Sequence, residues 1–110
     1  MKLKITPTES FKRDVKSLRK KNPRIAESLK ELNRELRNDE YGVPIGKGVY
    51  KKRVRNVDSK KGKRGGFRVI GYKDIEMKKF YLLTIYSKSE KETIQDKEII
   101  ELLKGIGVFS

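Results

Sequence analysis

The chain has 110 residues, 29 of them lysine or arginine against 15 aspartate or glutamate, for a formal net charge of +14. That length supports one domain, residues 1–110, with one modest core, and the charge favours an anionic partner, either nucleic acid or an acidic protein. With no cysteine and no histidine, a disulfide framework, a thiolate zinc site, a Ser-His-Asp triad and the usual imidazole base are all excluded, and no metal or cofactor is expected. Hydrophobic residues make up 35% and charged residues 40% of the chain. The apolar residues fall into periodic segments, so the chain reads as a folded domain and not a disordered basic tail. The N-terminal MKLKITPTES has no apolar signal core, and no run reaches membrane-spanning length, so a cytoplasmic location is expected.

Leu3 and Ile5 alternate with polar residues and predict a short first strand. Thr6-Pro7-Thr8-Glu9 reads as a helix start, with Thr6 as cap, Pro7 at the first helical position and Glu9 returning a capping-box bond. Phe11, Val15 and Leu18 follow at helical spacing. Asn22-Pro23 repeats the cap-then-proline signal and opens a second helix with the stripe Ile25, Leu29, Leu32, Leu36, ending near Asn38. The two helices are expected to form an antiparallel hairpin. NDEYGVPIGKG reads as a turn-rich connection. Three strands are then predicted: Val49 to Val57, Phe67 to Tyr72 after the loop DSKKGKRGG, and FYLLTIYS after a turn around Lys73 to Lys78. The last of these is apolar on both faces, as suits a strand inside a sheet. Ser89 to Glu92 and Asp96 offer caps for a closing helix that buries Ile99, Leu102, Leu103 and Ile106, with Gly105 or Gly107 ending it. The order strand, two helices, three strands, helix argues for an α+β fold with a helical hairpin packed on one sheet face.

The stretch VYKKRVRNV is the most informative. Side chains alternate along a strand, so Lys51, Arg53 and Arg55 are expected on one face, with Tyr50 and Val54 on the other. Three cations in a row repel each other and add nothing to a core. Such a row makes sense beneath an anion such as a polynucleotide backbone, although a solvated edge strand can also carry cations to deter pairing. Arg68 stands among Val69, Ile70 and Tyr72 in a buried-looking strand, where a guanidinium is costly without a partner or a site. A structural ion pair with a helix carboxylate is the plainer reading of it. Lys60, Lys61, Lys63 and Arg64 form a short basic loop able to touch RNA phosphates. Lys88-Ser89-Glu90-Lys91-Glu92 sits between strand and helix, a common place for site residues, and otherwise reads as a charged linker.

The blocks VYKKRVRN, GGFRVIGY and FYLLTIYSKSEKE, in this order and spacing, resemble the RelE/ParE toxin superfamily, most closely the RelE/HigB-type toxins of bacterial type II toxin–antitoxin systems. The resemblance covers nearly the whole chain. It implies an N-terminal strand and helical hairpin packed on a small, mainly antiparallel twisted sheet, with a C-terminal helix. It further implies ribosome-dependent cleavage of mRNA in the ribosomal A site, and a cognate antitoxin protein as partner. Lys51 and Arg53 resemble the family's basic pair on one strand, Arg68 the arginine of the next, and Lys88 and Lys91 its basic residues after the last strand. Two positions depart from the pattern: Gln95 stands where a catalytic tyrosine is expected, and Ser89 where an arginine is. Tyr72 and Tyr86 are the phenols available to substitute, and both are candidate RNA contacts together with Arg55.

Attack of a ribose 2′-hydroxyl on the adjacent phosphate needs a base, stabilisation of the phosphorane, and help for the leaving oxygen. Arg53 and Arg68 can bond the phosphate oxygens. A lysine crowded by other cations releases its proton more easily, which makes Lys51, Lys88 or Lys91 candidate bases, with Glu90 a further one. Two other functions fit the same charge: a ParE-like gyrase inhibitor that cuts no RNA, and a non-catalytic RNA- or ribosome-binding domain.

Overall fold

The computed structural model describes residues 2–60 and 65–108. The elements are β1 (Lys4–Pro7), α1 (Glu9–Arg19), α2 (Ile25–Arg37), β2 (Val43–Gly46), β3 (Val49–Val54), β4 (Phe67–Asp74), β5 (Lys79–Ser87) and α3 (Asp96–Lys104). The five strands make one sheet in the order β1-β5-β4-β3-β2. β1 runs parallel to β5, and the other pairs are antiparallel. Among the described residues the fold is α+β, with three helices on a mixed sheet. No helix among the described residues is long and apolar enough to cross a membrane.

The helical stripes pack where their spacing directs. Phe11, Leu18, Ile25, Leu32 and Leu36 join Val54, Phe67, Val69, Phe80, Leu82 and Ile85 in a core between the hairpin and one sheet face. A second core lies on the opposite face, where Ile99 and Leu103 of α3 meet Val49, Ile70, Leu83, Tyr86 and Ile94. Each fully buried aliphatic or aromatic side chain contributes about 1.5–3 kcal/mol. The two-sided burial of β5 follows from its interior place in the sheet, as its apolar sequence predicts.

Four local expectations are corrected. The cap of α1 is Thr8, not Thr6: its hydroxyl accepts from the Phe11 N–H at 3.3 Å and donates to the Leu82 carbonyl at 2.8 Å. Pro7 belongs to β1, paired with Leu82, so the chain stays extended two residues longer. Asn22 does not cap α2. Its amide closes α1 on the Leu18 carbonyl at 3.0 Å, and its carbonyl accepts from Asn56 at 2.7 Å. The Arg24 N–H at the start of α2 bonds the Asp58 carboxylate instead, at 3.0 Å. The connection read as turns holds an edge strand, β2, with Gly42 before it and Gly46 at its end at positive φ and with Pro44 suited to a sheet edge. β3 ends at Val54, short of Val57, because Ser28 accepts the Val57 N–H at 3.1 Å while the Asn56–Asn22 bond draws the chain toward the hairpin.

Gly66 and Gly71 are required by close approach. A Cβ on Gly66 would lie 2.2 Å from the Val54 carbonyl oxygen, and one on Gly71 2.3 Å from the Phe80 ring. The first lets β4 begin tight against the end of β3, and the second lets Phe80 lie across the sheet.

Candidate active site

Strand pairing builds the site. Arg53 of β3 is directly opposite Arg68 of β4, which is directly opposite Tyr86 of β5. The three residues form a row across three strands on the α3 side of the sheet, and Lys51 lies two positions along from Arg53 on the same side. A cleft of about 550 Å³ opens here, with Lys51, Arg53, Arg68, Lys88 and Glu92 among the residues of its walls. Arg68 is only 3% exposed, and its guanidinium donates to the Phe67 carbonyl at 3.1 Å. Burial first, and then the charge of Arg53, lower its pKa from the ordinary arginine value; a guanidinium nevertheless stays charged. Lys88 is held by its own N–H, which donates to the Gly66 carbonyl at 3.1 Å. The tight start of β4 therefore also fixes the end of β5.

Lys51, Arg53 and Lys88 have no carboxylate ion pair among the described residues. Like charges converging on one cleft cost energy unless an anion joins them. Such an arrangement can clamp a phosphate with charge-assisted bonds. Among the described residues, no group of three acidic side chains is placed to hold a metal ion.

Other candidates lie elsewhere. Arg55 does not share the face of Lys51 and Arg53. Beyond the end of β3 its guanidinium turns to α2 and grips Glu31 at 2.7 and 3.3 Å. Lys91 bonds Glu98 of α3 at 2.5 Å, and its ammonium sits 5.5 Å from the centroid of the Tyr86 ring. Glu90 pairs with Lys21 at 3.7 Å, away from the cleft cations. Tyr72 stacks on Tyr81 with centroids 6.4 Å apart. Ser89 bonds Ser87 through its hydroxyl, and Gln95 is the residue before α3. Lys60 is exposed after β3, while Lys61, Lys63 and Arg64 lie outside the described residues.

Lys52 escaped the sequence reading, and Glu92 was named only as part of the charged segment after the last strand. Lys52 is buried on the hairpin face and pairs with Glu35 of α2 at 3.0 Å. The alternation that exposes Lys51 and Arg53 was the signal that could have found it. Glu92 reaches the cleft from an irregular segment, where no periodicity could mark it.

The fold is similar to that of a double-mutant form of the E. coli toxin RelE in the free state. The TM-score is 0.58 at 18% identity, covering 96% of this chain and 99% of that one. At that identity the likeness speaks for the fold alone. The family model of the RelE toxin of the RelE/RelB toxin-antitoxin system matches residues 3–107, a span that takes in the helical hairpin, the whole sheet and α3. The chain therefore belongs to the RelE family of toxins, which pair with an antitoxin.

Proposed function

We propose that the protein is a ribosome-dependent endoribonuclease of the cytoplasm that cleaves translated mRNA, stops translation, and is held inactive by its cognate antitoxin. The observation that carries this reading is the directly opposed pair Arg53–Arg68 in a cleft with Lys51 and Lys88. Two guanidiniums one strand apart match the oxygens of a single phosphate. The 2′-oxygen attacks phosphorus, its proton passes to a base, and the bond to the 5′-oxygen breaks as that oxygen takes up a proton. The products are a 2′,3′-cyclic phosphate and a 5′-hydroxyl end. The arginines stabilise the charge that builds on the phosphorane. Lys51 and Lys88, both in the cleft, are the candidate bases. With no histidine or cysteine in the chain and no acidic cluster among the described residues, the donor set suits a mechanism without metal. The ribosome supplies the alignment of the mRNA that so open a cleft does not.

Primer extension on a message with and without translating ribosomes tests the reading. New ends are expected only on translated message. Intact mRNA together with inhibited DNA supercoiling would replace the reading with gyrase inhibition. Bound but uncut RNA would replace it with a binding domain.

A further inference from the structure

The geometry points to Tyr86 as a catalytic residue that donates a hydrogen bond to the RNA phosphate once α3 moves aside; this rests on the nuclease reading above. Its side chain is 7% exposed and belongs to the apolar cluster of Ile70, Leu83, Ile94, Ile99 and Leu103. Its hydroxyl is buried and has no hydrogen-bond partner among the described residues. Burying a hydroxyl without a partner costs stability, and phenylalanine would fill the same space without that cost. A tyrosine here needs a use outside the resting packing.

Its position supplies one. Tyr86 is directly opposite Arg68, and Arg68 is directly opposite Arg53. A phosphate gripped by the two guanidiniums lies one strand away from the phenol. Burial raises the phenol pKa, so the group keeps its proton and acts as a donor to the phosphorane oxygens and not as the base.

The cover over the hydroxyl is of a kind that can move. Residues 88–95, which connect β5 to α3, have no regular structure. Ile94, Ile99 and Leu103 share the ring's apolar cluster, and Lys91 ties ring to helix through its bond to Glu98. That ion pair is 36% and 49% exposed, a setting in which such pairs hold weakly.

Single-turnover cleavage on programmed ribosomes, with melting temperatures measured alongside, tests the assignment. Tyr86→Phe is expected to cut about a hundredfold more slowly, with half-saturation unchanged and a melting temperature equal to or above that of the wild type. Glu98→Ala, which unties α3, is expected to cut faster. Wild-type cleavage by Tyr86→Phe overturns the assignment and leaves the nuclease reading standing. Loss of activity in step with a lowered melting temperature also overturns it, because it marks Tyr86 as packing only. An unchanged rate for Glu98→Ala overturns the movement of α3. A wild-type protein that leaves translated mRNA intact overturns both the assignment and the nuclease reading.

Discussion

Strand β3 presents the same kind of residue to two faces with opposite results. On the hairpin face, Lys52 is buried and meets Glu35 at 3.0 Å, with the two side chains 10% and 17% exposed. On the α3 face, Lys51 and Arg53 flank it in sequence and find no carboxylate ion pair among the described residues. One cation holds a helix to the sheet, and its neighbours hold open a place for an anion. The total charge of the chain cannot separate these roles; the pairing across each face does.

The comparison breaks most visibly at Arg68. Arg68→Ala is expected to slow cleavage by about a hundredfold or more, roughly 3–4 kcal/mol in the barrier, with the melting temperature retained. A variant that melts early but cuts at full rate when folded would move Arg68 to the structural side. Lys52→Ala should do the reverse. Removing the cation from a mostly buried carboxylate should cost about 3 kcal/mol of stability, read as a lower urea midpoint, with the folded fraction still cutting RNA. Arg55→Ala removes a more exposed pair and should cost less than about 1 kcal/mol with cleavage unchanged. A large loss of cleavage there would return Arg55 to the RNA surface.

The smallest effect concerns pH. On the hairpin side Tyr41 packs on Phe80 with centroids 4.8 Å apart, and burial, then its bond to Asp39, push its pKa up to about 12. Tyr86 on the other face is raised by burial as well. A raised pKa means that the folded protein holds the proton more tightly than the unfolded chain. The stability tied to Tyr41 is therefore complete below about pH 10, where the free phenol titrates, and is lost between there and about pH 12. Urea midpoints measured across that range should fall in the wild type and fall less in Tyr41→Phe.

The helices were legible because Phe11, Leu18, Ile25, Leu32, Ile99 and Leu103 repeat at helical spacing, and one packed face is all that a surface helix requires. β5 was legible because an interior strand is apolar on both sides. β2 was not, since Gly42, Pro44, Gly46 and Gly48 carry turn chemistry that hides a short extended run, paired with the adjoining β3 across the tight turn at Lys47 and Gly48. Arg55 was misplaced because alternation predicts faces only while a strand lasts. Side chains from the hairpin, Ser28 and Asn22, decide where β3 stops. In the cleft, Lys51, Arg53, Arg68 and Lys88 were readable as cations on strands and at a strand end. The opposed placement of Arg68 and Tyr86 depends on strand register, which no local pattern encodes.

β5 breaks its own alternation once. Leu83 belongs to the α3-side core and Ile85, two residues on, to the hairpin-side core, where the pairing with β4 slips by one residue. The phase of everything downstream hangs on that extra residue. Were the same residues to run in strict alternation without the bulge, Ile85 would turn toward the cleft and Tyr86 under the hairpin, setting an aliphatic side chain beside the arginines with no change in the chemistry of any residue. The bulge in β5 is thus as much a part of the site as the residues around it, and an insertion or deletion between it and Tyr86 is expected to be more damaging than most substitutions.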